Sequence, residues 1–261
     1  MQVTIVGFAG SFPSAASPAS CYLIEADGFR LVLDLGNGAL GALQHYTALS
    51  DVDAICISHL HADHCIDMLG YSVFQDYHPD GQRPRIPVYG PTGTADRLEA
   101  ALGSHSMGIE QAFDIAVLTP GTVEIGPLTI TAGRMRHPVE TFGFRIEHDG
   151  QALAYSADTG PADELVALAR GADVLLAEAS FTDGPNLPPD LHLTAQQAAE
   201  HAAAAGVGEL VLTHLVAWND PAVTLEQAAA AYDGPLRLAS SGQRLLGASR
   251  VGHDGGRTGR A

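Results

Sequence analysis

A six-residue segment of this chain carries four side chains of the kinds that bind metal ions. It has the pattern His-x-His-x-Asp-His from His59 to His64 and directly follows an apolar run at 53–57, which is typical of a buried strand. Imidazole and carboxylate groups are ligands for zinc and similar divalent ions. A loop so rich in these groups is a poor element of an apolar core. The pattern therefore predicts a metal site at the end of a strand.

The spacing within the segment indicates two ions rather than one. On an extended chain, residues i and i+2 point the same way, so His59 and His61 can hold one ion together. If the chain then turns into a helix at about residue 63, Asp63 and His64 can swing toward a second ion.

The hydrophobic pattern of the whole chain is that of an α/β protein. Strands are predicted at 2–7, 20–26, 29–35, 53–57, 86–89, 113–118, 127–135, 141–147, 151–156, 174–177 and 210–213. Helices are predicted at 38–49, from about 63, at 161–170, at 194–206 and from Thr224 to about Gly234. Strand-rich runs followed by alternating helices and strands indicate an α/β sandwich.

Local turn and capping signals support several of these boundaries. Asp27-Gly28 is a hairpin turn signal between two strands. Thr194 with Gln197, and Thr224 with Gln227, have the spacing of a capping box, which predicts a helix start at each threonine.

Length and composition are consistent with one enzyme-sized domain. The chain has 261 residues and is 46% hydrophobic, which supports a substantial core. No linker interrupts it, so we predict a single domain over 1–251. The segment 252–261, rich in Gly and Arg, is predicted to be a disordered tail.

The charge balance disfavours a polyanionic partner. Thirteen arginines and no lysine stand against 30 acidic residues, for a formal charge of −17. Binding to nucleic acid depends largely on Lys and Arg neutralising phosphates, so we expect neither RNA nor DNA as a partner.

Cysteine usage and apolar patterning favour a cytoplasmic protein. Cys21, Cys56 and Cys65 are scattered and form no C-x-x-C pair, so we expect reduced thiols rather than disulfides. The sequence has no signal-peptide pattern at its start and no apolar run long enough to span a bilayer. We therefore expect a cytoplasmic protein without a membrane span.

The histidine segment resembles the signature of the metallo-β-lactamase superfamily, and the resemblance extends over about residues 1–248. It implies an αββα sandwich of two mixed β-sheets flanked by helices. Further matches follow in the family's order at His137, Asp158 and His214. The resemblance implies that His59, His61 and His137 hold one ion, that Asp63, His64 and His214 hold the other, and that Asp158 and a hydroxide bridge them.

Within the superfamily the chain is similar to the short ribonuclease Z-like branch. The segment 7–13 resembles that branch's N-terminal Gly-x-x-Gly-Ser-x-x-Pro loop, and Glu178 and His192 match its Glu and His motifs. The stretches around Asp67, Tyr77-His78-Pro79, 178–182 and 188–193 resemble actinobacterial class II-like cyclic-nucleotide phosphodiesterases. The resemblance implies that Asp63 orients the hydroxide and that Glu178 and His192 protonate the leaving group.

One departure from the branch bears on the substrate. Ribonuclease Z carries a long Gly/Pro-rich arm between its third histidine and its bridging aspartate, whereas here His137 and Asp158 are only 21 residues apart (158 − 137). A hairpin fills that gap. Because the chain has no such arm and is acidic, we do not expect tRNA as the substrate. We predict a small nucleotide instead, 3′,5′-cyclic AMP, which would be hydrolysed to 5′-AMP.

Several alternatives remain open at this stage. The same cluster serves tRNA 3′-end cleavage and the hydrolysis of thioesters, lactones and β-lactams in sister families. A non-catalytic metal-binding domain is the alternative from another class, and it predicts broken ligand positions, whereas all seven are filled here. The cofactor is predicted to be two Zn²⁺, with Mn²⁺ also compatible with these ligands. A homodimer is compatible with the resemblance.

Overall fold

The structure, a computed structural model, is described for residues 1–103 and 108–247. The predicted tail at 252–261 lies outside the described residues.

The strands in chain order are β1 (Gln2–Gly7), β2 (Cys21–Ala26), β3 (Phe29–Leu33), β4 (Ala54–Cys56), β5 (Ile86–Gly90), β6 (Phe113–Val117), β7 (Gly121–Ile125), β8 (Leu128–Arg134), β9 (Phe142–His148), β10 (Gln151–Tyr155), β11 (Val174–Glu178), β12 (Glu209–Thr213), β13 (Leu236–Leu238) and β14 (Arg244–Leu245). The α-helices are α1 (Ala39–Leu43), α2 (Ala62–Cys65), α3 (Met68–Asp76), α4 (Thr94–Leu102), α5 (Ile109–Ala112), α6 (Asp163–Ala169), α7 (Ala195–Ala205) and α8 (Pro221–Ala229).

The strands form two seven-stranded sheets, with the orders β14-β1-β2-β3-β4-β5-β6 and β13-β12-β11-β10-β9-β8-β7. In the first sheet β14, β1, β2 and β3 pair antiparallel and β3 to β6 pair parallel. In the second, β7 to β10 pair antiparallel and β10 to β13 pair parallel. Both sheets are therefore mixed, as predicted.

Three apolar clusters hold the layers together. One lies between the sheets, a second joins the outer face of the second sheet to α6, α7 and α8, and a third joins the outer face of the first sheet to its helices. Alternation along β2 illustrates the arrangement, because Tyr22 and Ile24 point between the sheets while Cys21 and Leu23 point toward the helices. The αββα sandwich is confirmed.

Local signals were right at some helix starts and wrong at others. The capping box of Thr194 and Gln197 is present at the start of α7. The prediction that Thr224 caps the last helix is wrong, because α8 begins three residues earlier. There Asp220 caps the helix by accepting from the Ala222 amide, and Pro221 occupies the first turn. An Asp-Pro start combines a strong N-cap with a preorganised first residue.

The helix predicted at 38–49 is only partly formed. The structure has α1 at Ala39–Leu43 and a separate 3₁₀ turn at Leu49–Asp51. Between them the Thr47 amide still bonds the carbonyl of Leu43, and the chain is extended at Ala48, with φ and ψ of −70° and 142°.

The three cysteines are buried and free, as expected for reduced thiols. In the described part of the chain, none of the helices combines the length and apolar character that a membrane crossing requires.

Candidate binuclear metal centre

The histidine segment has the local structure expected from its pattern. After β4 the chain stays extended through His61, whose φ and ψ are −69° and 150°, and then enters α2, which carries Asp63 and His64. His59 and His64 are fully buried. The switch from extended chain to helix therefore places the two halves of the segment in two neighbouring groups of ligands, one half in each.

The first group consists of His59, His61, His137 and Asp158, whose ligand atoms all lie within 4.8 Å of one another. Nδ1 of His61 is 3.0 Å from Nε2 of His59 and 3.2 Å from Nε2 of His137. His137 comes from the loop after β8, and Asp158 from the loop after β10. The topology thus brings three separate chain segments to one point.

The second group consists of Asp63, His64, Asp158 and His214, again within 4.8 Å. Nε2 of His214 is 3.3 Å from Nε2 of His64 and 3.1 Å from Oδ2 of Asp63. Asp158 belongs to both groups, since Oδ2 lies 3.6 Å from His59 and Oδ1 lies 3.2 Å from His64. This is the arrangement that a bridging carboxylate requires.

The residues present fit a pair of divalent ions. Oδ1 of Asp158 is buried and has no hydrogen-bond partner among residues 1–103 and 108–247, a costly state for a carboxylate oxygen unless a cation binds it. Three imidazole nitrogens of the first group face one another at 3.0 and 3.2 Å. Two nitrogens bound to one tetrahedral zinc lie roughly 3.3 Å apart. The two clusters are therefore able to hold a dinuclear site.

The electrostatics of the first group's imidazoles and of the two aspartates also suit metal binding. Burial lowers the pKa of His59, His61 and His137, so these imidazoles keep a free lone pair at neutral pH. Burial opposes ionisation of Asp63 and Asp158, but neighbouring histidines, His214 foremost, outweigh it and hold the pKa of both carboxyls well below the usual range. Neutral imidazoles and ionised carboxylates are the forms that ligate metals.

Hydrogen bonds on the far side of three rings orient them. Nδ1 of His137 bonds the carbonyl of Leu191 at 2.9 Å, and Nδ1 of His64 bonds Asp34 at 2.8 Å. Nδ1 of His214 is 2.7 Å from Oγ of Ser180. When Nδ1 carries the proton, Nε2 is free to face the cluster, as is usual for metal-bound histidines.

Asp34 was missed by the sequence analysis. Its buried carboxylate accepts hydrogen bonds from the amide and hydroxyl of Ser58, from His64 and from the Tyr155 hydroxyl. Its φ of 59° is in the left-handed region, which aspartate tolerates better than most residues. The available signal was an acidic residue directly after the buried run Leu31–Leu33.

Ser180 was also missed as a connecting residue. Its hydroxyl donates to Oε2 of Glu178 at 2.7 Å and faces His214. It therefore joins the second metal group to the Glu178–His192 pair. Sequence alone offered only a hydroxyl two positions after Glu178.

The predicted Glu178–His192 pair is formed. Nδ1 of His192 lies 2.9 Å from Oε1 of Glu178, which also accepts from the amide of Thr159 at 2.7 Å. The His192 ring centroid is 5.5 Å from those of both His137 and His214. Burial disfavours the charged ring, but Glu178 and the nearby aspartates outweigh it and raise the pKa of His192 to about 9. A protonated imidazole thus lies beside the two ligand groups.

The N-terminal loop reaches the same site, whereas the contacts of His78 are with other residues. The amide of Ser11 points at Nε2 of His214, 3.4 Å away. His78 packs on Phe74 and lies 3.7 Å from Asp80.

A two-sheet αββα sandwich with two histidine–carboxylate groups at its strand ends defines a metallo-hydrolase. Residues 30–215 match the family profile described as the beta-lactamase superfamily domain. The chain belongs to the metallo-β-lactamase superfamily, close to the short ribonuclease Z-like proteins.

Three relatives span nearly its whole length. An uncharacterized protein of Mycobacterium tuberculosis is 43% identical, over 90% of this chain and 88% of that protein. A ribonuclease Z of Mycolicibacterium gilvum is 32% identical, over 85% of this chain and 86% of that protein. The crystal structure of the metallo-beta-lactamase fold protein YhfI from Bacillus subtilis superposes with a TM-score of 0.82 at 27% identity, covering 94% of this chain and 98% of that one.

Proposed function

We propose that the protein is a two-metal phosphodiesterase that hydrolyses a small phosphodiester, 3′,5′-cyclic AMP, to 5′-AMP. The observation that carries this proposal is the Glu178–His192 pair, 2.9 Å apart and beside the metal ligands. The pair is not among the seven proposed ligands of the two ions, although Glu178, His192 and His214 also form a group whose ligand atoms lie within 4.8 Å of one another. A protonated imidazole there suits a reaction whose leaving group is a poor alkoxide, which needs a proton as its bond breaks.

In this proposal His59, His61 and His137 would hold one divalent ion, Asp63, His64 and His214 would hold the other, and Asp158 would be shared by the two groups. Such ions supply Lewis acidity toward phosphoryl oxygens and lower the pKa of water. We propose Zn²⁺ as the native metal, with Mn²⁺ as the alternative, since imidazole and carboxylate accept both.

The protein's own residues carry the proton movements. Asp63 accepts a hydrogen bond from the attacking water and orients it toward phosphorus, and the proton that this water loses passes to solvent. As the new P–O bond forms and the bond to O3′ breaks, His192 donates its Nε2 proton to O3′. Glu178 holds the ring through Nδ1 and stabilises its charge, and the ring recovers a proton from solvent after turnover.

The proposal of a small substrate is supported by what fills the gap between His137 and Asp158. That segment is a hairpin of β9 and β10, joined at Asp149 and Gly150. It pairs within the sheet, and the four residues before it, 138–141, are too few for a protruding arm. The formal charge of −17 further disfavours a long polyanion. We therefore propose a small nucleotide as the substrate. That the protein forms a homodimer and is located in the cytoplasm are predictions from the sequence.

Transfer-RNA 3′-end cleavage is the second candidate. It is favoured by one specific observation, the 32% identity to a protein named ribonuclease Z over most of both chains. The same ligands and the same Glu–His pair would serve it. Hydrolysis of thioesters, lactones or β-lactams is less well supported, because Glu178 and His192 match motifs of the ribonuclease Z-like branch, and a thiolate leaving group needs no proton donor.

A substrate panel tests the proposal. Purified protein loaded with zinc or manganese is incubated separately with 3′,5′-cyclic AMP, a precursor tRNA, a thioester, a lactone and a β-lactam. We expect 5′-AMP to be the dominant product. Faster cleavage of the precursor tRNA would favour the second candidate, and no 5′-AMP with either metal would refute the cyclic-nucleotide assignment.

Two variants make the panel specific. Asp158→Ala should abolish turnover and lower the bound metal, whereas Asp163→Ala, an exposed change in the first turn of α6, should retain both.

A further inference from the structure

Two aromatic side chains lie exposed next to each other near the metal ligands. The rings of Phe12 and Trp218 have centroids 5.3 Å apart and are inclined at 43°. Trp218 is 74% exposed and Phe12 is 38% exposed, although large aromatic side chains are usually well buried. Trp218 is also the only tryptophan of the chain.

Both rings are carried by loops anchored at the second metal group. The Gly10 amide donates to the carbonyl of Leu215 at 3.1 Å, and the Leu215 amide donates to the carbonyl of Phe8 at 2.9 Å. The next amide along, that of Ser11, faces Nε2 of His214. Phe12 therefore follows directly after a backbone group that lies against a metal ligand.

The loop that carries Trp218 is tied to the same place from the other side. The side-chain amide of Asn219 donates to the carbonyl of Ser180 at 2.8 Å, and the Ser180 hydroxyl contacts both His214 and Glu178. The ring pair is thus held by groups that also position the reaction centre.

Polar and apolar groups lie close together along the first loop. Nε2 of the proposed metal ligand His214 lies 3.4 Å from the Ser11 amide, and the exposed Phe12 ring is one residue further on. A largely apolar pocket of about 410 Å³ lies beside the same two loops; its lining includes Phe8, Ala15, Leu215 and Val216 but neither ring and none of the proposed metal ligands. The metal ligands suit a phosphate, and the exposed rings suit a planar apolar group. A nucleotide has the same two halves, a phosphate and a planar base, separated by one ribose.

We propose that Phe12 and Trp218 form the base-binding surface for a nucleotide substrate, with the nucleobase stacked on the tryptophan ring. This inference rests on the proposed function, because it takes the phosphate of the same nucleotide to lie at the metal ligands. Stacking tolerates any base, since every base has a π-face. The pair would therefore favour nucleotides over phosphodiesters that lack a base, without selecting adenine strictly.

The unique tryptophan permits a test that does not depend on turnover. The full chain loaded with zinc is titrated with 5′-AMP and, separately, with ribose 5-phosphate, which lacks the base. Trp218 fluorescence is excited at the red edge, where adenine does not absorb. We expect saturable quenching by 5′-AMP and none by ribose 5-phosphate, and weaker quenching in Phe12→Ala. Equal quenching by both ligands, or none by 5′-AMP, overturns the inference whatever the turnover assay gives.

Kinetics provide the second readout. Trp218→Ala should raise KM for the cyclic nucleotide and the inhibition constant of 5′-AMP roughly tenfold, with a smaller change in kcat and none in inhibition by ribose 5-phosphate. Trp218→Phe should restore most of the loss because it keeps a ring. Tyr46→Ala removes another exposed ring, 36% exposed between α1 and the 3₁₀ turn at Leu49–Asp51, and should change neither constant.

The outcomes separate the two proposals. Quenching by 5′-AMP without hydrolysis of cyclic AMP would support the base site and refute the proposed reaction. Hydrolysis of cyclic AMP with an unchanged KM and inhibition constant in Trp218→Ala would support the reaction and refute the base site. If Trp218→Ala instead converts a dimer to a monomer in sedimentation and leaves nucleotide binding intact, the ring pair is an interface between copies of this chain and the inference fails.

Discussion

Nδ1 of His64 lies 2.8 Å from a carboxylate oxygen of Asp34, and both side chains are fully buried. Asp34 is on the first sheet's side of the site, just after β3, and it also accepts a hydrogen bond from Tyr155 at the end of β10 in the second sheet. The pair therefore does two things: it turns Nε2 of His64 toward the metal ligands, and it joins the two sheets at the metal centre.

Replacing Asp34 with asparagine should weaken metal binding without unfolding the chain. Asparagine has nearly the same size and tolerates a φ of 59°. It cannot, however, accept all four hydrogen bonds that the carboxylate accepts. We expect a roughly 10- to 100-fold loss of affinity for one of the two ions, measured by competition with a chromogenic chelator. Asp149→Asn, an exposed aspartate with a φ of 48°, is the matched control. Full affinity for both ions in Asp34→Asn would show that the pair does not position His64.

The Glu178–His192 pair predicts a specific pH dependence. An acid with a pKa of about 9 is protonated at neutral pH, so turnover should persist there and fall as the pH rises through that value. Glu178→Gln removes the charge that raises the pKa, so the alkaline limb of kcat should move to lower pH. An unmoved limb in this variant would contradict the assignment of His192 as the acid.

A change of leaving group isolates the same proton transfer. His192→Ala should slow hydrolysis of cyclic AMP about 10²- to 10⁴-fold. It should slow bis(4-nitrophenyl) phosphate far less, because nitrophenolate departs without a proton. The ratio of the two rates is the measurement. Equal losses on both substrates would assign His192 a structural role only.

Removal of metal should destabilise the fold. Asp63 and Asp158 belong to one group of ligand atoms within 4.8 Å, so without a cation two carboxylates face each other in a buried place. A site held at about 1,000 times its Kd contributes ~4 kcal/mol to the free energy of unfolding, which corresponds to a fall in Tm of about 10 °C on chelation. Thermal scans with and without chelator, followed by added zinc, measure it. Asp158→Ala should show a much smaller shift, and an unchanged wild-type Tm after proven metal loss would refute the prediction.

The loop at 7–13 should tolerate no side chain at Gly10. A Cβ there would lie 2.5 Å from the carbonyl oxygen and 2.8 Å from Nδ1 of His214. Gly10→Ala should therefore displace the loop or the ligand, and we expect kcat/KM to fall by about tenfold or more. Gly41→Ala is the control, because a Cβ at that α1 position meets nothing within 4 Å and alanine favours the helix. Unchanged kcat/KM in Gly10→Ala would show that the loop can shift to accommodate the added Cβ without affecting the site.

Much of the fold follows from local patterns. Period-two apolar runs and turn residues placed most strands within a residue or two, and the Asp27-Gly28 turn has the positive φ angles of 51° and 83° expected for a tight hairpin. The elements β7, β13, β14, α4 and α5 were not predicted, and one error occurred where two local signals competed. Thr224 and Gln227 have capping spacing, but Asp220-Pro221 upstream is the stronger start and leaves Thr224 inside α8.

The residues of the candidate site likewise divide into those that could be predicted from the sequence and those that could not. His59, His61, Asp63 and His64 form a recognisable pattern because they are neighbours along the chain. His137, Asp158 and His214 were found only through a family resemblance. Asp34 and Ser180 were missed, because a single buried acid or hydroxyl has no distinctive pattern in sequence.

The sequence by itself determined which chemistry is available, namely a run of metal-binding side chains on a strand that turns into a helix, within an α/β chain. Only the tertiary structure decided where that chemistry occurs. His64 and His214 are 150 residues apart, yet their Nε2 atoms are 3.3 Å apart. Local propensity cannot specify such a contact. The contact depends on how two sheets pack and on the buried hydrogen bonds that orient each ring. Nor does any sequence pattern place the exposed rings of Phe12 and Trp218 together; that depends on the two loops meeting at His214.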